Sequence, residues 1–379
     1  MCFANSSVIG SPVIGESQGE LGKKPDLSDF PSQQAPTRSV NPTRGSAEPV
    51  FFEKTGNSQT VRIRDHQSNI HNRWNNQLKP VAQVNEGELV VFECRDGSDA
   101  QMSDRSTSED VAKLDFNRVH ALSGPVYVKG AEPGDALEVE VVEVKPRYPY
   151  GWTAMLPGFG LVFSNPQAAV LEDADFQGPY FKLWRFSNGF AHLDQNKVKV
   201  PIAPFMGIMG VAPARKGAYR TIPPFEIGGN LDIRQLTRGS KVFFPVFNPG
   251  ALFSTGDAHA AQGDGEVCLT AIEIAGELHC RFRVHKNWNI PKPRATIPPQ
   301  NSSLDSKGYY LTMGISSNTN EAAREAVKEM VDWLMREHDL TLRDAYVVAS
   351  VVGDLKLSEV VDGPNWTVSF TVPKSAFTD

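Results

Sequence analysis

Three carboxylates, an imidazole and a carboxamide fall within the ten residues from Asp257 to Glu266: Asp257, His259, Gln262, Asp264 and Glu266. A solvated acidic loop would not carry Ala258, Ala260 and Ala261 or follow Ala251-Leu-Phe253. Polar groups set among small apolar residues indicate a packed pocket. Buried acids are costly unless a cation, a proton or hydrogen bonds compensate them. Asp257 and His259 are two residues apart, so an extended chain points both to one face. A carboxylate with an imidazole suits Zn²⁺, Fe²⁺ or Mn²⁺, with Zn²⁺ preferred here. Hydrolysis at such a centre also needs a base for the water proton. Glu266, at the edge of the apolar run Val267 to Ile274, and Asp264, between Gly263 and Gly265, are the candidates. Gln262 could align a carboxamide substrate. The same residues also admit a plain reading. Asp257 could bond backbone amides in a turn, His259 could sit in the core, Asp264-Gly265 could be a hairpin turn and Gln262 could tie the loop.

Further ligands must come from elsewhere in the chain. Asp96, after the strand-like Glu88 to Cys94, is the expected third ligand, and His71 in Ile70-His-Asn-Arg-Trp74 is the reserve. Gly229, in Gly228-Gly229-Asn230, is expected to form a turn or to present backbone to substrate. Cys268 has the chemistry of a nucleophile. Its place in an apolar strand favours inert burial, as for Cys94. The sequence holds no GxSxG elbow, Walker A lysine or HExxH pair.

The elements that would position these groups are mostly strands. The chain has 379 residues with 31 Gly and 27 Pro, and few long helical patterns, which points to a turn-rich, mainly β fold of sandwich or barrel type. Strands are expected at Val81–Val84, Glu88–Cys94, Val126–Val128 and Ala136–Val144, a strand pair within Phe190–Val200, and one at Lys241–Phe247 placed at an edge or bulge by Pro245. Val267–Ile274 and Leu278–Val284 are expected to form a hairpin around Ala275-Gly276-Glu277. Pro204 to Pro213 is read as close backbone approach rather than a regular element. A helix should start near Glu321, capped by Asn318 with Glu321 reciprocating, and a second should span Leu342 to Val351 before a strand at Trp366–Val372. This divides the chain into a flexible polar leader (1–60), a mainly β catalytic region (61–285) and a smaller C-terminal α+β portion (286–379).

The formal net charge of −6 and the absence of a Lys/Arg block indicate neither nucleic acid nor a membrane surface as partner. No apolar run is long enough to span a bilayer. Four scattered cysteines without a CxxC pair point to a reducing, cytoplasmic setting.

Several segments together resemble the acetamidase/formamidase family of amide hydrolases. They are Gly124-Pro-Val-Tyr-Val128, Gly130-Ala-Glu-Pro-Gly-Asp135, Pro204 to Pro213, Pro223-Pro224 with Gly228-Gly-Asn-Leu-Asp232, and above all Gly250 to Glu266. The resemblance covers roughly Arg62 to Pro373. It implies hydrolysis of a short carboxamide such as formamide or acetamide to a carboxylate and ammonia, a largely β architecture and a homo-oligomer. Glu93-Cys-Arg-Asp-Gly-Ser-Asp-Ala-Gln101 looks closer to the acetamidase-like branch. Two departures stand out: Leu269 where relatives often carry Gly, and the length of the leader. Two other classes fit a β scaffold bearing DxH and a later Glu: a cupin-like non-haem metal oxygenase and a non-catalytic β-sandwich binding module.

Overall fold

The computed structural model describes residues 49–55, 58–159, 178–193, 198–266, 269–299, 307–340 and 353–377. The fold is mainly β, as the composition indicates. One sheet runs in the order Val50–Thr55, Ser58–Ile63, Leu89–Cys94, Gly276–His285, Ala136–Pro146, Lys241–Pro245, Arg294–Ile297, Tyr309–Ser316, Trp366–Pro373 and Asp354–Glu359. Its neighbours are antiparallel except Ser58–Ile63 against Leu89–Cys94. The second sheet has Phe253–His259 at its centre, flanked by Phe205–Gly210, Leu122–Val128 and Glu273–Ile274. Phe253 from the second sheet meets Phe92, Phe244 and Phe282 from the first at ring separations of 5.7, 6.0 and 5.2 Å. These aromatic contacts lie in the core between the sheets.

Phe253–His259 is buried along its whole length. A strand covered on both faces cannot alternate polar and apolar residues, which is why its acid and imidazole sit among alanines and glycine. The helix Thr319–His338 lays Ala322, Ala326, Met330 and Leu334 against Tyr309–Ser316 and Trp366–Pro373. Asn318 caps it by accepting from the amides of Asn320 and Glu321 at 2.9 and 3.2 Å. The Glu321 carboxylate pairs with Arg324 instead of closing the box.

The structure corrects several expectations. Val50–Thr55 is a strand although it lies within the expected leader. Phe205–Gly210 is a regular, fully buried strand. Lys241–Pro245 is an interior strand; Pro245 lies past its last pairing with Arg294–Ile297, where a missing N–H interrupts no ladder on that side. The expected hairpin does not form. Glu273–Ile274 pairs in the second sheet and Gly276–His285 in the first, so the chain changes sheets at Ala275. Gly276 permits the crossing, since a Cβ there would come within 2.6 Å of the Ala258 Cβ. The expected helix Leu342–Val351, Cys268 and residues 1–48 lie outside the described residues. The strands after residue 286 extend the first sheet, and the last of them brings Glu359 and Asp362 to the neighbourhood of Asn230.

Candidate active site

Asp232, Asp257 and Glu266 all adopt left-handed backbone conformations, with φ of 48°, 54° and 47°. Such angles are uncommon outside glycine and cost of order 1–3 kcal/mol each unless the surroundings hold them. These three buried residues converge on one imidazole. His259 Nε2 lies 3.5 Å from Asp257 Oδ2 and 3.3 Å from Glu273 Oε1, and its Nδ1 lies 3.8 Å from Asp232 Oδ1. Ligand-capable atoms of Asp257, His259 and Glu273 group within 4.8 Å of one another, as do those of Asp232, His259 and Glu266. Phe205 packs edge-on against the ring at 5.1 Å. On the adjacent strand, a Cβ at Gly207 would meet Asp232 Oδ1 at 2.5 Å and His259 Cε1 at 2.8 Å. Glycine is therefore required beside this cluster.

The tautomer of His259 follows from Gln262. Gln262 Nε2 donates to the Asp232 carbonyl at 2.8 Å, which turns Oε1 toward His259 Nδ1, also at 2.8 Å. Nδ1–H therefore donates to Gln262, and Nε2 faces Asp257 and Glu273. A lone pair facing two carboxylates is stable only with a positive charge between them, either a proton or a metal ion. Ligand atoms about 2.1 Å from a shared tetrahedral centre sit roughly 3.4 Å apart; the 3.3 and 3.5 Å separations match that spacing. Among the described residues His259 Nε2 and both Asp232 carboxylate oxygens have no hydrogen-bond partner. The donor set of carboxylate oxygens and one imidazole nitrogen fits a divalent cation.

The electrostatics show the same excess of negative charge. Burial, then the neighbouring carboxylates, push Asp232, Glu266 and Asp362 well above the usual range. Burial raises Glu273 and Glu359 to about 7. Burial also acts on Asp257, but His120 and His259 outweigh it and hold its carboxyl low. Burial alone would lower His259, yet Glu273 and Asp257 raise it well above an ordinary histidine. So many acids in one buried place cannot all ionise without a cation. They open into a cavity of about 80 Å³, whose polar lining includes Asn230, Asp232, Asp257, Glu266, Glu273 and Asp362 together with His120.

Asp257, His259 and Glu266 thus come together, while the other residues named from sequence lie elsewhere. Asp264 swings outward on its glycine-flanked turn, held by Arg234 Nε at 3.2 Å and Gln235 Nε2 at 3.0 Å. Asp96 is buried beside the cavity but satisfied by Ser98 Oγ at 2.5 Å, the Ala100 amide at 3.1 Å and Trp152 Nε1 at 3.4 Å. His71 is occupied at both nitrogens, by the Arg73 carbonyl at 2.9 Å and Ser254 Oγ at 2.8 Å, and burial lowers it to about 4. Gln262 orients His259 rather than facing the cavity. Gly229 packs near Pro223 and Trp74, and its neighbour Asn230 lines the cavity instead.

Asp232, Glu273, Asn230, His120 and Asp362 were not singled out from sequence. Glu273 had a signal: an acid between Ile272 and Ile274 in an apolar run. Asp232 ends the glycine-rich string Gly228-Gly-Asn-Leu-Asp232.

Known proteins resemble this chain over most of its length. The model of the Acetamidase/Formamidase family matches residues 57–217 and 214–379. A formamidase of Methylophilus methylotrophus is 27% identical over 371 residues, covering 81% of this chain and 89% of that protein. The crystal structure of an acetamidase from Bacillus halodurans superposes with a TM-score of 0.70 at 28% identity, covering 83% of this chain and 96% of its own. An acetamidase from Yersinia enterocolitica gives 0.73 at 26%, covering 83% and 91%. With a family match spanning nearly all of its described residues and solved acetamidases sharing its fold, the chain belongs to the Acetamidase/Formamidase family.

Proposed function

We propose that this chain hydrolyses the C–N bond of a linear carboxamide to a carboxylate and ammonia, using a water activated in the Asp257–His259–Glu273 cluster. The observation that carries this reading is His259 Nε2, unpartnered and facing two buried carboxylates beside the cavity. A divalent cation, Zn²⁺ by preference, held by Asp257, His259 and Glu273 would acidify the water and polarise the amide carbonyl. Gln262 keeps Nε2 available by accepting from Nδ1. Glu266 lines the same cavity, and its burial makes it a strong proton acceptor. It takes the proton from water and returns it to the departing nitrogen, which leaves poorly until protonated. Asn230 Nδ2 donates to Asp362, while its Oδ1 has no partner among the described residues. That oxygen can accept the substrate N–H and fix which end of the amide faces the base.

The finer setting completes the reading. No helix among the described residues is long and apolar enough to cross a membrane. Cys94 and Cys280 are buried free thiols, Cys94 pushed up to about 12 by burial, which supports a reducing, cytoplasmic location. The outermost strand Asp354–Glu359 leaves Leu355 and Leu357 49% and 46% exposed, which supports a homo-oligomer.

Incubation with acetamide and formamide under anaerobic conditions tests the reaction class. The expected result is ammonium and carboxylate in equal amounts. Turnover that needs dioxygen, or none that releases ammonium, would favour the oxygenase or binding-module reading.

A further inference from the structure

Much of the cavity wall is apolar. Phe116 and Phe159 stack there with rings 5.4 Å apart and 8° from parallel. Leu114, Leu156 and Ile222 are only partly buried beside them. Apolar side chains left facing an open cavity mark a surface that a ligand covers. The cavity, about 80 Å³, has room for several waters at the roughly 10–15 Å³ that each requires. An acetamide methyl would leave most of this wall uncovered. No Lys or Arg lines the cavity among the described residues, so nothing there would balance an anionic acyl chain.

Leu269 adds a second, independent observation. It lines the cavity with φ of 109°, in the region where glycine alone is free of penalty. Glycine would relieve that backbone, but only a side chain can contribute apolar contact to a bound acyl group.

Resting on the amidase reading above, we propose that the preferred substrates are amides with a bulky, uncharged apolar acyl group, of the arylacetamide class, and that Leu269 is a specificity-determining wall for that group. Each added methylene buried on the wall is expected to raise kcat/KM about fourfold. Ammonia release from acetamide, phenylacetamide and succinamate, a chain ending in carboxylate, tests this with native protein and Leu269→Gly. The expected kcat/KM for phenylacetamide is about 100-fold above that for acetamide, with succinamate poorest. Leu269→Gly is expected to shrink the phenylacetamide-to-acetamide ratio about tenfold while the Tm holds or rises, and Leu269→Met is expected to keep the ratio. Acetamide turned over as well as phenylacetamide would overturn the substrate class and leave the amidase reading intact. A phenylacetamide preference unaltered in Leu269→Gly would overturn the role of Leu269. Absence of ammonia from every amide would instead remove the amidase reading, and this proposal with it.

Discussion

Replacing His259 with alanine is expected to strip the centre of its cation and lower kcat by about 10³-fold or more, beyond the 10- to 100-fold that loss of an outer-shell partner costs. The reason is local. Asp257 Oδ2 and Glu273 Oε1 approach the same nitrogen at 3.5 and 3.3 Å, and no other imidazole lies as close to them among the described residues. Without it, the two carboxylates face each other in a buried space and must take up protons, which removes them as ligands. Elemental analysis of purified protein checks the first effect and ammonia release the second. Near-ultraviolet circular dichroism shows whether the variant keeps its packing. A full complement of metal with turnover lost would take His259 out of the ligand set while leaving it in the reaction.

Glu266→Gln is expected to lower kcat by about 10²- to 10⁴-fold, the range for removing a positioned general base. The carboxamide is isosteric, so KM for acetamide and the metal content should stay close to native. Asp264→Asn is the contrast. Asp264 points away to Arg234 and Gln235 in an exposed setting, and exposed ion pairs are worth at most about 1 kcal/mol. That variant is expected to keep kcat within about twofold. Steady-state kinetics on the two proteins decides between two acids only two residues apart. Loss in Asp264→Asn with Glu266→Gln active would reverse the roles assigned to them.

The part of the site legible from sequence is the part that is local. Asp257, His259 and Glu266 share one short segment, and their burial among alanines and glycines is visible in the composition of that segment. Glu273 and Asp232 reach the same imidazole through sheet pairing, and nothing in spacing along the chain reports pairing. His71 and Asp96 looked suitable as isolated ligand types. What removes them is hydrogen bonding, to Ser254 for His71 and to Ser98 and Trp152 for Asp96, which only the folded arrangement supplies. The misread hairpin at Ala275-Gly276-Glu277 has a similar cause. A local turn signal was present, but Gly276 serves the close approach to Ala258 as the chain passes between sheets. The mainly β character and the capped helix after Asn318 were legible because hydrophobic period and capping chemistry are local properties.

On the proposed mechanism, a cation bound by the buried cluster readies water for attack on the amide. Ammonia release from acetamide by protein depleted of metal and then titrated with Zn²⁺ tests it most directly. Turnover should vanish on depletion and return in proportion to metal, saturating at about one equivalent per chain, the stoichiometry of a single-ion site. Undiminished turnover by protein shown to be metal-free would contradict the claim.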